Sequence, residues 1–243
     1  MENIIFKTET NYLLAIAKNL KDILKEFRLQ ILESGLRIVE IDNANVCLLD
    51  ISLNKGLCSQ YEFKEGYRKD YCLNSTDFYN ILKDNKKTSV SFYIENNKAV
   101  FKFDNGIKSE LSFMEDEREL RKEMPVMNFN TKIKLSSKRF KEIIKNFSNI
   151  GDNILIDLKQ DILSLSTKNN INTSQIDLGK DEFSNALNST DRAKYSLEYL
   201  SKFVKEQISE FVILKFSTDN PLIIEYKTPN LEINFLLAPR VEE

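Results

Sequence analysis

Leu13, Ile16, Leu20 and Ile23 recur at helical spacing, and Phe140, Ile143, Ile144 and Phe147 do the same further along the chain. Shorter helical patterns cover Asp77–Lys83 and Leu197–Lys205, with Ser75, Thr76 or Ser196 available as N-caps. The apolar runs between these pieces read as strands. In the first half they are Leu29–Leu32, Leu36–Ile41, Val46–Leu53, Val90–Ile94 and Val100–Phe103. In the second they are Ile154–Leu158, Ile162–Ser166, Val212–Phe216 and Leu222–Tyr226. Ser34-Gly35, Asn96-Asn97 and Asp219-Asn220-Pro221 supply turn chemistry. The pattern predicts about two helices and eight strands in each half, an α+β fold with antiparallel sheets.

The two halves resemble each other. A shift of 127 positions lays Lys18-Asn19-Leu20 on Lys145-Asn146-Phe147, and Phe27, Leu29 and Ile31 on Ile154, Ile156 and Leu158. A shift of 122 lays Ile81-Leu82-Lys83 on Phe203-Val204-Lys205, and Val90, Phe92 and Ile94 on Val212, Leu214 and Phe216. Two collinear blocks at nearly one shift predict two similar domains, 1–113 and 129–243. A charged linker, 114–128, joins them and contains Glu115-Asp116-Glu117-Arg118-Glu119 and Pro125.

Composition then narrows the chemistry. The 243 residues include no histidine and no tryptophan, so a Ser-His-Asp triad, a His-ligated zinc and a histidine general base are excluded by inventory. Cys47, Cys58 and Cys72 are too few and too widely spaced for a disulfide framework or a CxxC knuckle, and read as free thiols in a reducing compartment. There is no GxxxxGK[ST] loop and no GxGxxG turn. No apolar run approaches the roughly 20 residues of a membrane span, and the start lacks a signal-peptide core, which predicts a cytosolic or nuclear protein.

Net charge is −2, yet lysines collect on the predicted helices. Lys18, Lys21 and Lys25 follow one another at i, i+3, i+7, and so do Lys138, Lys141 and Lys145. Lys83, Lys86 and Lys87 follow the second helix, and Lys202 and Lys205 sit on the fourth. A solvated face is one reading. The other is a basic surface segregated from an acidic one, suited to phosphate contacts that ignore base sequence.

Four stretches resemble the PCNA-type DNA sliding clamps. They are Gly35–Leu49, similar to that family's G-x6-D-x3-V-x-L stretch; Phe147–Asp152, similar to its LS-x-IGD turn; Pro221–Lys227, similar to PLxxEYK; and Leu236–Glu243, similar to YLAPK-x-E. The resemblance is collinear over essentially the whole chain, and the short tail after Ala238-Pro239 points to an archaeal or viral member. It implies a DNA-clamp fold in a pseudo-sixfold ring of three subunits encircling duplex DNA. DNA-facing positions would be Lys18, Lys21, Lys83, Lys138, Lys141, Lys145, Lys202 and Lys205. The chain departs from the family at Asn80, Asn149 and Glu198, where a basic residue or histidine is common, and at Leu14 and Ala15, where lysines are common.

The resemblance also implies a pocket for partner helices with apolar and aromatic anchors. Its walls would be Ile41, Asn45, Leu120, Met124, Pro125, Pro221, Leu236, Ala238 and Pro239. Leu236 replaces a familiar tyrosine, and Lys122 stands where an apolar linker residue is usual. Ile41 and Leu236 also read as plain strand core. Subunits would meet through Ser109, Glu110, Leu111, Ser112 and Phe113 on one side, and Thr173, Ser174, Gln175, Ile176, Asp177 and Leu178 on the other. The departures suit a specialised subunit, in a homotrimer or a heterotrimer of paralogues. Implied partners are DNA polymerase, clamp loader, flap endonuclease and DNA ligase, with no cofactor, no metal, no membrane and no catalysis. The implied location is cytoplasmic and nucleoid-associated, or nuclear in a eukaryote. Two other readings are a checkpoint-type clamp subunit and a carboxylate-dependent enzyme using Glu115, Asp116, Glu117 and Glu119.

Overall fold

The computed structural model describes residues 5–63, 70–115, 123–185, 190–206 and 208–240. They divide into two compact units: Met1–Asp42, Asp50–Glu123 and Pro229–Glu232 form the first, and Asn43–Leu49, Met124–Thr228 and Ile233–Glu243 the second. The first half of the chain runs β1 (Phe6–Glu9), α1 (Thr10–Ile23), β2 (Glu26–Leu32), β3 (Gly35–Ile41), β4 (Cys47–Asn54), β5 (Cys58–Tyr61), β6 (Asp70–Asn74), α2 (Ser75–Lys83), β7 (Ser89–Glu95), β8 (Lys98–Phe103) and β9 (Lys108–Ser112). The second runs β10 (Thr131–Ser136), α3 (Ser137–Phe147), β11 (Asn153–Lys159), β12 (Ile162–Lys168), β13 (Thr173–Leu178), β14 (Phe183–Asn185), β15 (Asp191–Ser196), α4 (Leu197–Phe203), β16 (Phe211–Phe216), β17 (Leu222–Lys227) and β18 (Leu231–Leu237).

The repeat is carried by the wiring. In the first half the strand orders are β5-β1-β7-β8-β9 and β4-β3-β2-β6; in the second they are β14-β10-β16-β17-β18 and β13-β12-β11-β15. Each strand of one half thus has a counterpart nine places later with corresponding neighbours. The 127 offset takes the start of α1, Thr10, to the start of α3, Ser137, and β2 onto β11. The 122 offset takes the start of α2, Ser75, to the start of α4, Leu197. Two short stretches depart from sequence order. Within the first unit, the Asn54 N–H donates to the carbonyl of Asn230 (2.8 Å), and within the second, the Ala238 N–H donates to the carbonyl of Val46 (2.9 Å).

Among the described residues each half has nine strands, one more than the periodicity predicts. The runs read from the sequence do not include β1, β5, β6, β10, β14, β15 or β18; of these β1, β5 and β14, of three or four residues each, give too few alternations to register as a period. Capping also differs. The Asn74 side chain accepts from the N–H groups of Thr76 and Asp77, so Asn74, and neither Ser75 nor Thr76, caps α2. Ser196 holds the cap position of α4 without a side-chain bond, and that helix stops at Phe203, short of Lys205.

In the first unit, ring contacts link α2 to both strand runs. Phe27 of β2 lies 5.2 Å from Phe78 of α2, which lies 5.7 Å from Phe101 of β8, and Phe92 of β7 stacks on Phe6 at 4.9 Å. In the second, Phe203 of α4 stacks on Phe235 of β18 at 4.2 Å. Each such buried ring contributes about 1.5–3 kcal/mol from burial alone.

Two local features hold turns that matter below. Gly35, at φ +141°, opens β3 so closely against β4 that a Cβ would stand 2.1 Å from the Leu53 carbonyl oxygen. Asp191, 4% exposed, accepts from the Thr131 hydroxyl (2.6 Å) and from the Thr218 N–H and hydroxyl (2.9 Å each), fixing the turn before Pro221. Burial alone would raise the Asp191 carboxyl; these bonds outweigh it and hold the group below its ordinary range.

Gly35→Ala should destabilise the chain by about 2–3 kcal/mol, because a strained φ and a backbone clash coincide. Gly106→Ala, with positive φ and open space around it, should cost about 1 kcal/mol in the same urea titration. For Asp191 the depressed folded pKa means a stabilisation present above the unfolded value and lost as pH falls through the folded one. The urea midpoint of the unaltered chain should therefore fall between pH 5 and pH 2 more steeply than that of Asp191→Asn.

Candidate functional site

Helices α1 and α2 pack on each other within the first unit, and α3 and α4 within the second. On α1, Leu13, Ile16, Ala17 and Leu20 are buried, which brings Lys18 and Lys21 to the flanks, where both are half-buried. The Lys21 ammonium lies 4.4 Å from the Tyr79 ring centroid on α2 and 3.6 Å from Asp22. Lys25 falls beyond the C-cap, Leu24, so the ridge on α1 is two lysines long and the third belongs to the following loop. Lys83 closes α2 and donates to the Asn80 side chain at 3.1 Å, and Lys86 and Lys87 are exposed in the turn beyond.

The α3 ridge is complete. Phe140, Ile143, Ile144 and Phe147 are buried, Lys138 and Lys145 are exposed, and Lys141 donates to the carbonyl of Lys205 at 2.5 Å. The same packing brings Lys205 beside the α3 set, although it lies past the end of α4. Lys202 pairs with Glu198 at 2.8 Å and sits 4.9 Å from the Tyr199 ring. Glu198 is 72% exposed, and a pair so open contributes only about 0–1 kcal/mol.

The residues expected around a partner pocket distribute as follows. Ile41 ends β3 in the first unit and is half-buried. The others that are described belong to the second unit. Along β18 burial alternates, with Leu231, Ile233, Phe235 and Leu237 inside. Leu236 therefore points to the opposite face of the strand from that core, and Ala238 and Pro239 beyond it are half-buried. Asn45 adopts φ +55°, in a turn held to the tail by the bond from Ala238 to Val46. Pro221 follows the turn that Asp191 holds, and the Tyr195 hydroxyl donates to the Asn220 carbonyl at 2.7 Å. Met124 is half-buried and Pro125 exposed, while Leu120 and Lys122 lie outside the described residues. Val126, which the sequence reading passed over, is fully exposed beside them. The apolar run Met124-Pro125-Val126-Met127 was its available signal.

Strands β9 and β13 each lie at an open edge, paired with β8 and with β12 respectively. Ser109 and Leu111 are half-buried on one face of β9, and Glu110 and Ser112 are exposed on the other; Phe113 packs 5.1 Å from Tyr71. On that exposed face Glu110 bonds Lys98 (3.2 Å) and Lys108, which hold its carboxyl below the usual range. Thr173, Gln175 and Asp177 are exposed on β13, Ser174 and Ile176 are half-buried, and Leu178 is buried. The Asp177 carboxylate accepts from Ser164 (2.7 Å) and Gln175, which lowers its pKa.

Among the described residues no group of histidine, cysteine, aspartate and glutamate is arranged to hold a metal ion, and no helix is long and apolar enough to cross a membrane. Of the acidic linker residues, Glu115 is exposed, and Asp116, Glu117 and Glu119 lie outside the described residues. Cys47, Cys58 and Cys72 form no disulfide among the described residues, and burial pushes the Cys58 thiol up to about 11, with a bond to Thr8 acting against it.

The chain is similar to known proteins in sequence and in fold. Residues 123–241 match the family model for the proliferating cell nuclear antigen, C-terminal domain. A DNA polymerase sliding clamp from Thermococcus gammatolerans is 29% identical over 239 residues, covering 95% of this chain and 94% of that protein. DNA polymerase sliding clamp 1 from Thermococcus kodakarensis is 31% identical with the same coverage, and the sliding clamp from Nitrosopumilus maritimus is 30% identical over 94% of both chains. The crystal structure of Proliferating Cellular Nuclear Antigen from Entamoeba histolytica shares the fold, with a TM-score of 0.88 at 23% identity over 98% of this chain and all of that one. With identity near one third sustained over almost the full length, the chain belongs to the DNA polymerase sliding clamp family.

Proposed function

We propose that this chain is one subunit of a three-membered ring that encircles duplex DNA and tethers the replicative polymerase, raising its processivity by topology instead of by chemistry. The observation that carries the reading is the asymmetry of the repeated edges. Residues 229–232 run beside the end of β4, and the start of β4 beside the tail after β18. The counterparts of β4 and β18 in the duplicated wiring are β13 and β9, and these have open edges. An exposed edge is a liability that a partner removes. A head-to-tail contact between β9 of one subunit and β13 of the next supplies that partner and closes by rotation.

The lysines of the four helices then face the duplex, as phosphate contacts without base readout. The half-exposed apolar residues at Leu236, Ala238, Pro239, Pro221 and Met124 receive the anchoring helices of polymerase, clamp loader, flap endonuclease and ligase. Whether the ring is built from one chain or from paralogues follows from the side chains on the two edges. In an archaeal cell it works at the nucleoid.

Native mass spectrometry should give a trimer, either from this chain alone or on addition of its paralogues; a monomer that persists with every paralogue present would sink the ring. Lys83, Lys138, Lys145 and Lys205 are exposed, so replacing all four by alanine should leave folding and partner-peptide binding intact and reduce polymerase stimulation. The salt dependence of DNA binding should flatten by about 0.9 in slope for each lysine that had engaged a phosphate. Equal loss of peptide binding would point to damaged folding and against a DNA face.

A further inference from the structure

Strand β15 closes the edge of its sheet, and two of its residues remain outside the roles described above. Arg192 and Lys194 are two positions apart, so both side chains leave the same face of the strand. Their carbonyls are engaged. The Asp219 N–H donates to Arg192 (3.2 Å) and the Arg240 N–H donates to Lys194 (2.7 Å). These bonds pin the turn before Pro221 and the chain after Pro239 to one strand edge. Between them opens a cleft of about 350 Å³ lined by Leu155, Arg192, Lys194, Thr218, Asp219 and Arg240. Three of those side chains are cationic and one is a carboxylate, which leaves the cleft net positive. Arg240 also borders a second cleft of about 560 Å³ at the start of α4. Its field is felt there: Glu198 is held below the ordinary carboxylate range first by Lys202, with Arg240 adding to the effect.

We propose that this cleft binds the carboxylates of an acidic stretch flanking the anchor residues of a partner's clamp-binding helix, and so selects among partners. The inference rests on the partner pocket described above. Continuity argues for it. Asp219 stands two residues before Pro221, and Arg240 directly follows Pro239, so a segment seated on those prolines reaches the cleft within a few residues. Guanidinium groups suit carboxylates, because their planar donors meet both oxygens at once. The backbone bonds of β15 preform the frame, so little ordering cost remains to be met on binding.

The test uses the full chain and two fluorescein-labelled synthetic helices with identical apolar and aromatic anchors. One carries three flanking glutamates and the other three glutamines. By anisotropy at low salt the glutamate peptide should bind about tenfold more tightly, and the difference should shrink in about 0.5 M salt. Arg192→Gln combined with Arg240→Gln should abolish the preference while the glutamine peptide keeps its affinity, which also reports an intact fold. Arg192→Lys with Arg240→Lys should retain part of it. Equal binding of both peptides to the unaltered chain overturns the proposal and leaves the pocket standing. Failure of both peptides to bind removes the pocket and this inference with it. If the double glutamine variant loses duplex DNA binding and keeps the glutamate preference, the cleft belongs to nucleic acid and the proposal is overturned.

Discussion

On each helix one apolar stripe is buried, and the remaining side chains have only the opposite arc left to occupy. For α3 the stripe is Phe140, Ile143, Ile144 and Phe147, and the arc that remains carries Lys138, Lys141 and Lys145. Because the rise and turn of a helix are fixed, residues three and seven apart share a face whichever way the rest of the chain folds. The lysine ridge is therefore a by-product of the same burial that stabilises the core. The stacked pair Phe203 and Phe235 ties α4 to its sheet in the same unit, and the Lys141 contact brings Lys205 beside the ridge.

Strand pairing imposes the second constraint. Each interior strand satisfies its backbone groups on both sides, and an edge strand satisfies them on one. Duplication of one wiring scheme within a single chain places equivalent edges at β4 and β13, and at β18 and β9. The open edges of β9 and β13 are thus copies of edges that find neighbours elsewhere in the same chain. Both edges also carry charged side chains. Lys98, Lys108 and Glu110 form a network on one strand pair, and the Asp177 carboxylate accepts from Ser164 and Gln175 on the other.

The surface of the second unit around β15 shows how a rigid frame presents adaptable groups. Asp191 and Tyr195 alternate inward on the strand and hold the 218–220 turn; Arg192 and Lys194 alternate outward. The outward pair borders the cleft that also holds Arg240.

Much of this is legible in the sequence. The helix stripes, the two offsets of 127 and 122, and the turns at Gly35, Asn96-Asn97 and Asp219 all follow from local periodicity and backbone preference. The edge positions of β9 and β13 came through the family resemblance, since an edge strand and an interior strand carry the same alternation. Sequence was silent on strands β1, β5, β6, β10, β14, β15 and β18, on Asn74 as the cap of α2, and on Lys25 falling outside its helix. The amino-acid sequence by itself determined the elements and their duplication, because those depend on residues within a turn or two of one another. Only the tertiary structure decided which strands are edges and which lysines stand clear. It alone joined Leu155, Arg192 and Arg240 in one cleft, because hydrogen bonds between distant strands leave no periodic trace along the chain.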